Sequence, residues 1–428
     1  MGVGMIGAEP RAREIRVLIE NGEYWLRNRG DIAMMAITAE RLREHWPGAR
    51  IGMLTDQPRI LPAVVPYAEP VPAGAGGRWG SGRAPNRSLA AAALRWRAVT
   101  DGPRTRARAL RNALRDTVNG TSELPEPPIP TAVDEAALVL AQGGGYLTDV
   151  DLYQAHRALN LLEHAQRQGI PTAMIGQGVG PIENPRLLEH AARVLPGVGF
   201  IGLREGRRGP ALLAELGVAP DRILVTGDDA VEAAYRLRRP ELGTDLGICV
   251  RVADYARVGD AARAVLGRVV RTAAADLGAA LAPLIISEYD SEDRRSTLPL
   301  LAGAARTRRP IGRGGTAEQV ARQVSGCRIL VTSAYHLAVF ALSQGIPAIG
   351  LTASRYYDDK FYGLADLFGP GLRVVHMDEH NLEQTLATAI EDLWRDAPGL
   401  RDPLRRSASD QIAAARTGLD RVFRLVDR

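Results

Sequence analysis

Two residues suited to proton transfer, Asp31 and His336, each follow an apolar run that predicts a β-strand. A carboxylate in this position could orient or deprotonate a hydroxyl group. Asp31 also precedes an amphipathic helix, so capping that helix is its alternative role. His336 opens an apolar helix, where the helix dipole does not favour a charged imidazole, so packing in the core is its alternative role.

Cationic side chains stand where an anionic ligand could be bound. Arg251 ends the predicted strand GICVR, a favourable place for a guanidinium that faces an anion. Arg204 follows another strand, although it could simply pair with the adjacent Glu205. Lys360, the only lysine among 54 basic residues, lies a short way beyond His336.

Two glycine-rich segments, AQGGG at residues 141–145 and GQGVGP at residues 176–181, follow further predicted strands. Glycine lets backbone amides approach an anion at a helix start, but the same sequences could form plain tight turns. Neither segment has the spacing of the dinucleotide fingerprint. Asp149 and Asp151 are similar to the paired acids that hold a metal in some sugar transferases, but Asp151 fits a helix cap better, so no metal is predicted.

The elements that must position these residues alternate regularly between short β-branched runs and amphipathic helical segments, which predicts parallel sheets. Strands are predicted at residues 15–20, 50–55, 137–142, 172–175, 199–203 and 222–225, and then at residues 246–251, 282–286, 328–332, 347–351 and 372–375. We therefore predict an α/β fold of two Rossmann-like domains, residues 1–236 and 245–400, which face each other across a cleft, with a closing helix at residues 401–428.

Residues 57–135 interrupt this alternation with Pro- and Gly-rich sequence around a basic stretch from Arg78 to Arg115. That stretch holds ten arginines and one acidic residue, Asp101. A solvated arm is one interpretation, and docking on an anionic partner or a membrane surface is the other. Nucleic-acid binding is not predicted, because no recognition motif accompanies the arginines.

The composition indicates a globular protein in a reducing compartment. The chain has 428 residues, 46% of them apolar, and only two cysteines, Cys249 and Cys327, too few for a disulfide framework or a thiolate metal cage. The first residues lack the layout of a secretory signal, so a cytoplasmic location is expected. Residues 329–354 are free of charge, but a Gly-Ile-Pro break divides them into strand, helix and strand rather than a membrane span.

In their order along the chain, these motifs resemble the polysaccharide pyruvyl transferase family. They are NRGD, AQGGG with a following aspartate, GQGVGP, LRE, TGDD, the strand-end Arg251, and Ser333 with His336 in a Ser-x-x-His pattern followed by GIP. The resemblance covers most of the chain outside residues 57–135. It implies two Rossmann-type domains arranged as in GT-B glycosyltransferases. It also implies that pyruvate is transferred from phosphoenolpyruvate, as co-substrate, onto hydroxyls of a sugar-containing acceptor as a ketal, with no other cofactor.

The resemblance also implies roles for individual residues. His336 matches the motif histidine and is expected to do acid–base work, with Asp31 as the acceptor's base or orienting group. The donor is expected to contact Arg204, Arg251, Ser333, Lys360, Gly144, Gly145, Gln177 and Gly178. The acceptor is expected to contact Asn28, Asp149 and Asp229.

One position departs from the family's pattern. The family motif has an arginine directly after the serine, expected to hold the donor, where this chain has Ala334. Losing one charged hydrogen bond costs about 1.5 to 3 kcal/mol, or about tenfold to a hundredfold in affinity, and Arg355 or Lys360 could compensate. Two alternatives stay open, a GT-B-like glycosyltransferase with a nucleotide-sugar donor and a non-catalytic relative in surface-polymer assembly. A homo-oligomer is also left open.

Overall fold

The first half of the chain forms a seven-stranded parallel sheet. The computed structural model describes residues 14–73, 78–80, 128–252, 258–289 and 293–427. In the sheet the strands follow the order β3-β2-β1-β4-β5-β6-β7. They are β1 (Arg16–Glu20), β2 (Arg50–Leu54), β3 (Ala68–Val71), β4 (Leu138–Gln142), β5 (Thr172–Gln177), β6 (Phe200–Leu203) and β7 (Ile223–Val225). The chain reverses its direction of travel between β1 and β4, so the carboxyl ends of these two strands flank the crevice in which such sheets bind ligands.

The second half forms a five-stranded parallel sheet in the order β12-β11-β10-β8-β9. Its strands are β8 (Asp245–Cys249), β9 (Leu281–Pro283), β10 (Cys327–Thr332), β11 (Ala348–Thr352) and β12 (Leu372–His376). Here the direction reverses between β8 and β10, which are followed by Arg251 and by His336. The predicted α/β fold with two parallel sheets is confirmed.

Helices cover both sheets. They are α1 (Arg29–His45), α2 (Leu61–Val64), α3 (Leu152–Arg167), α4 (Pro185–Val194), α5 (Gly209–Glu215), α6 (Ala230–Tyr235), α7 (Asp260–Asp276), α8 (Asp293–Thr297), α9 (Ala317–Val324), α10 (Tyr335–Ser343), α11 (Arg355–Phe368) and α12 (Leu382–Phe423). Short 3-10 turns lie between several of them.

The strands are continuously apolar because both faces of each sheet are buried. In β4, Val139 packs into the core on one face of the first sheet, while Leu138 and Leu140 pack into the core on the other. In β10, Leu330 and Val331 likewise lie in different cores. Parallel strands covered on both faces are expected to show such runs rather than strict alternation.

The uncharged stretch at residues 329–354 forms β10, α10 and β11, as its Gly-Ile-Pro break predicts. Among the described residues there is no helix that combines the length and the apolar character needed to cross a membrane.

The structure differs from the sequence-based prediction at two edge strands. β3 lies inside the interrupting segment and contains Pro70, which an edge strand tolerates because one side of it needs no ladder hydrogen bond. β9 ends at Pro283, earlier than predicted. The residues after it pair across the cleft instead, where the Arg29 amide donates to the Ile286 carbonyl oxygen at 2.9 Å.

The closing helix begins at Leu382, well before the predicted start at residue 401. Pro398 and Pro403 lie within α12, although proline usually marks the end of a helix. Apolar side chains along its length hold it in place. Ile390 packs on the second sheet and Val422 on the first, so α12 ties the two halves together. Most of the arginine-rich stretch after Arg78 lies outside the described residues.

Candidate active site

The loop after β1 presents Asp31 to the cleft. The Asn28 side chain caps α1 by accepting a hydrogen bond from the Gly30 amide at 3.1 Å. Capping is therefore done by Asn28, and the Asp31 carboxylate lines the cavity between the two sheets. Asp31 therefore does not cap α1, and its side chain is free to act on a ligand in the cavity.

His336 reaches the same place from the other half of the molecule. Its ring packs directly against Gly30, where an added methyl group would collide with the imidazole. The side chain is only 8% exposed, and what is exposed lines the cavity. The glycine of the NRGD motif is thus needed for the close approach of α10 to the start of α1.

The surroundings of His336 keep its imidazole neutral. Burial and the nearby cations Arg204, Arg251 and Lys360 hold the pKa of His336 well below its usual value. Its Nε2 atom lies 3.7 Å from Oδ2 of Asp228, and neither atom has a hydrogen-bond partner among the described residues. A neutral imidazole beside a carboxylate can accept a proton, and a bound anion would favour its protonated form.

Asp31 titrates close to neutrality. Burial and, to a smaller extent, the negative charge of Asp228 raise its pKa to about 6, against the opposing effect of Arg251, Arg204 and Lys360. A carboxyl group with such a pKa is mostly ionised at pH 7 yet retains useful basicity, as a general base requires.

Arg204 is a buried cation without a direct ion-pair partner among the described residues, although the carboxylates of Asp228 and Glu205 act on its charge at longer range. It is 2% exposed, and its guanidinium makes no hydrogen bond or ion pair with any part of the chain that the structure describes, its Nε being buried without a partner. The guanidinium stacks on the Tyr335 ring, with Cζ 4.5 Å from the ring centroid. Gly178 faces it, and a methyl group there would lie 2.6 Å from one terminal nitrogen. Leaving a buried charge unpaired is costly, so this side chain is well placed for an anionic ligand.

Arg251 also lines the cavity but is already paired. It binds Asp293 through two hydrogen bonds of 2.9 and 3.2 Å. Asp293 additionally accepts hydrogen bonds from the Ile286 and Ser287 amides. This arrangement fixes Arg251 at the carboxyl end of β8 and compensates most of its charge.

Lys360 completes the cationic side of the cleft. Its Nζ donates to the Tyr356 hydroxyl and lies 3.7 Å from the centroid of that ring. The Tyr356 hydroxyl in turn donates to the Gly145 carbonyl oxygen at 3.0 Å, across the cleft. Burial, followed by the effect of Arg204, holds the pKa of Lys360 well below its usual value.

Of the two residues expected to compensate for Ala334, only Lys360 lies in the cavity. Ala334 itself is fully buried in the core of the second half. Arg355 is exposed and pairs with Glu183 at 3.2 Å.

The cavity between the halves has a volume of about 490 Å³. Several of the predicted site residues line it together, namely Asn28, Asp31, Gly144, Gly145, Arg204, Arg251, His336 and Lys360. A cavity of this size can hold more than one small ligand.

The other predicted donor residues support this wall without lining the cavity. Ser333 accepts a hydrogen bond from the Arg251 amide at 2.6 Å. The Gln177 side chain donates to the Ala141 carbonyl oxygen and to the Tyr146 hydroxyl. The Gly178 amide donates to the Gly144 carbonyl oxygen at 3.0 Å, so it is not available to a ligand.

Two of the predicted acceptor residues face away from the cavity. Asp149 accepts hydrogen bonds from the Glu183 and Asn184 amides and so fixes the turn before α4. Asp229 precedes α6 and packs against Gly176, where an added methyl group would lie 2.5 Å from its Oδ2, and the charge that acts favourably on its carboxylate is that of Arg41. Its neighbour Asp228 is the aspartate of the pair that meets His336.

Sequence reasoning missed a contact that joins the halves beside the cavity. The Tyr289 hydroxyl donates to both carboxylate oxygens of Glu23, at 2.7 and 2.9 Å. Burial and the charge of Asp31 raise the pKa of Glu23 to about 8. The only sequence signal was the position of Glu23 directly after a strand.

Arg29 forms a second contact between the halves. Its buried guanidinium donates to the carbonyl oxygens of Ile285, Gly312, Arg313 and Gly315. This arginine of the NRGD motif therefore holds the second half against α1. The sequence could not predict this contact, because the acceptors are backbone carbonyl oxygens, which every residue carries.

Two parallel sheets with ligand-binding strand ends facing across a cleft define the GT-B fold. UDP-GlcNAc 2-epimerase from Neisseria meningitidis, solved with UDP-GlcNAc, matches with a TM-score of 0.53 and 14% identity over 96% of this chain and 99% of that one. The glycotransferase of kitacinnamycin matches with a TM-score of 0.51 and 14% identity over 97% and 100%. UDP-GlcNAc 2-epimerase from Methanocaldococcus jannaschii matches with a TM-score of 0.51 and 11% identity over 88% and 91%. At these identities the similarity establishes the fold alone.

Comparison of the sequence with family profiles identifies one family within this fold class. The family profile of polysaccharide pyruvyl transferases matches residues 28–355. The chain belongs to the polysaccharide pyruvyl transferase family, as its motif order predicts, and is thus related to transferases. Comparison with curated proteins gives no match.

Proposed function

We propose that this protein transfers pyruvate from phosphoenolpyruvate onto hydroxyls of a sugar-containing acceptor, forming a ketal. The observation that supports this best is the buried guanidinium of Arg204, whose Nε has no hydrogen-bond partner among the described residues and which lines the same cavity as Lys360 and His336. Phosphoenolpyruvate carries a phosphate and a carboxylate, and these are the anions that guanidinium and ammonium groups bind best.

The donor's negative charge also prepares His336 for catalysis. In the free protein, burial and three cations hold its pKa low. A bound phosphate would neutralise those cations and favour the imidazolium. The protonated His336 then gives its proton to the methylene carbon of phosphoenolpyruvate, while an acceptor hydroxyl attacks the central carbon and passes its proton to Asp31.

The second half of the reaction restores both groups. Phosphate leaves with the bonding electrons of the C–O bond and takes the proton held by Asp31. A second acceptor hydroxyl then attacks the same carbon and gives its proton to His336. Two hydroxyl protons are lost in total, one to the new methyl group and one to phosphate, so the imidazolium and the carboxylate are regenerated.

Release of inorganic phosphate tests the proposal. The purified full-length protein is incubated with phosphoenolpyruvate and a panel of glycans and nucleotide sugars, and donor binding is followed separately by thermal shift. We expect acceptor-dependent phosphate release and a higher melting temperature with phosphoenolpyruvate. Absence of both effects would overturn the proposal, and stabilisation by UDP or GDP alone would favour a nucleotide-sugar donor.

The Lys360→Arg variant is expected to raise the KM for phosphoenolpyruvate about tenfold. The charge is kept, but the broad guanidinium does not fit the space between Gly145 and the Tyr356 ring, where the compact ammonium lies. Steady-state kinetics with varied donor measures this change. Arg355→Lys is the matched control, and it should leave the donor KM unchanged because Arg355 lies outside the cavity. Wild-type kinetics in Lys360→Arg would remove Lys360 from the donor site.

The Asp228→Asn variant is expected to lower kcat by about tenfold to a hundredfold, because it removes one charge-assisted contact to His336 and such a contact contributes about this factor. It should also move the acid limb of the pH–rate profile. The negative charge of Asp228 disfavours ionisation of Asp31 and so raises its pKa. With a neutral asparagine the pKa of Asp31 falls, and activity should persist to a lower pH than in the wild type, where it declines near pH 6.

Asp229→Asn provides the matched control, because the neighbouring aspartate faces Arg41 instead of His336. Its acid limb should stay close to that of the wild type. If both variants shift the limb equally, or if neither does, Asp228 has no specific role beside His336.

A further inference from the structure

The cleft is electrostatically divided along its length. Its three cations, Arg204, Arg251 and Lys360, all act on Asp31 and lower the pKa of that carboxyl. These cations contact Tyr335, Tyr356 and Asp293, whereas the Gln154 side chain lies against Gly22, and Asp151 caps the same helix by accepting a hydrogen bond from the Gln154 backbone amide at 3.1 Å. The cleft thus has a cationic end and an end, at Asp151 and Gln154, that has no lysine or arginine among its described lining residues.

The end of the cleft that is remote from the cations carries the kinds of side chain that bind sugars. Trp25, Asp151 and Gln154 line it. The Trp25 ring is held edge-on by Tyr289, with ring centroids 6.1 Å apart, and by Tyr24, at 5.8 Å. Aromatic rings held in this way offer apolar surface at little entropic cost, next to polar groups that can bind hydroxyls.

Gln154 has an unused amide group at this end. It is half-buried on the first turn of α3, and its side chain makes no hydrogen bond within the portion of the chain that the structure describes. The amide lies against Gly22, where an added methyl group would collide with it, and Gly22 has a positive φ of 72°. The turn after β1 is thus shaped to make room for the amide, which can both donate to and accept from hydroxyl groups.

We propose that Trp25, Asp151 and Gln154 form the acceptor subsite and that it takes an uncharged sugar ring. The assignment rests on the proposed function, since it places the anionic donor at the cationic end. Asp31 lines the same cavity, so hydroxyls of a sugar at this end can reach the proposed base. A uronic acid or a sugar phosphate is disfavoured there, because the Asp151 carboxyl group lines this end and no described lining cation there balances a further negative charge.

Binding of simple glycosides tests the subsite without any need for turnover. The probes are the methyl glycosides of glucose, galactose and mannose, with the corresponding methyl uronides as anionic counterparts. Saturation-transfer NMR on the full-length protein measures their affinity in the absence of donor. We expect at least one neutral glycoside to bind and the uronides to bind at least about threefold more weakly. Gln154→Ala should weaken the neutral glycoside about threefold to tenfold, the range for one uncharged hydrogen bond.

Gln168→Ala is the matched control, because Gln168 follows the end of the same helix and lies outside the cavity. It should leave glycoside affinity unchanged. Equal affinity in wild type and Gln154→Ala, equal binding of uronides, or binding of no glycoside would each overturn the subsite.

The same experiment separates this inference from the proposed function. Phosphoenolpyruvate should stabilise Gln154→Ala as much as it stabilises the wild type. If phosphoenolpyruvate binds neither protein but neutral glycosides still bind through Gln154, the donor assignment fails and the subsite stands. If turnover is observed and Gln154→Ala leaves the acceptor KM unchanged, the subsite alone fails.

Discussion

The His336→Ala variant is expected to lower kcat by about 10²- to 10⁴-fold, the contribution of a positioned acid–base group. The ring packs against Gly30, with Nε2 3.7 Å from Oδ2 of Asp228, and it lines the same cavity as Arg204, Arg251 and Lys360. Alanine removes the group that, in the proposed mechanism, delivers a proton to the methylene carbon of phosphoenolpyruvate. Initial rates of phosphate release at saturating donor measure the loss.

The fold should survive this substitution. The imidazole is neutral, and its Nε2 is without a hydrogen-bond partner among the described residues, so its removal breaks no ion pair. Circular dichroism and the thermal midpoint serve as the control. An unchanged rate, or a collapse of the fold, would show that His336 packs in the core without taking part in catalysis.

Gly30→Ala complements that experiment by leaving the imidazole in place and moving it. The new methyl group would collide with the ring, and catalytic groups lose efficiency steeply when they are displaced. A rate close to that of His336→Ala would show that the position of the ring matters as much as its presence.

The Arg204→Met variant is expected to weaken phosphoenolpyruvate binding by at least about a hundredfold without loss of thermal stability. A guanidinium can form two charge-assisted hydrogen bonds with phosphate or carboxylate, each worth about 1.5 to 3 kcal/mol. In the free protein, however, Arg204 makes none with the described residues. Methionine fills a similar volume against Tyr335 and breaks no direct ion pair or hydrogen bond with the described residues.

Arg251→Met provides the contrast, because Arg251 is equally buried but paired. Its removal leaves Asp293 buried without its bidentate partner, which is expected to cost about 3 to 5 kcal/mol of stability. Isothermal titration with phosphoenolpyruvate and chemical denaturation distinguish the two variants. A large loss of stability in Arg204→Met, with donor affinity retained, would make Arg204 a structural residue.

Together these variants distinguish side chains that stabilise the shape of the cleft from side chains that are expected to bind a ligand. Asp293 with Arg251, and Glu23 with Tyr289, satisfy one another within the protein. Arg204 and His336 have polar atoms that remain without a partner in the described structure. Buried polar atoms normally find partners, so such atoms at a cleft indicate where a substrate completes the hydrogen bonding.

The sequence by itself determined the fold class and the edge of each sheet at which the site lies. Apolar runs mark the parallel strands, and in such sheets the residues at the carboxyl ends meet at one crevice. This rule singled out four residues that line the cavity, namely Asp31, Arg204, Arg251 and His336. Lys360 was singled out by its rarity, and it lies in the same cavity.

The tertiary structure decided which way each side chain points. Asp228 and Asp229 are adjacent, yet one faces His336 and the other faces Arg41. Asp149 and Asp151 are only two residues apart and both accept hydrogen bonds from backbone amides, Asp149 before α4 and Asp151 at the start of α3, yet only Asp151 lines the cavity. Neighbouring residues in a turn follow no fixed period, so the identity of the residue does not reveal its direction.

Contacts between the halves could not be read from the sequence for the same reason. Gly30 resembles an ordinary turn glycine until α10 places the His336 ring against it. In the sequence Gln154 looks like an ordinary surface residue of a helix. In the structure Gly22 makes room for its amide, which lines the same cavity as Trp25. Local sequence determined which residues end each strand, whereas the packing of one half against the other decided which of them share a site, because that packing depends on surfaces far apart along the chain.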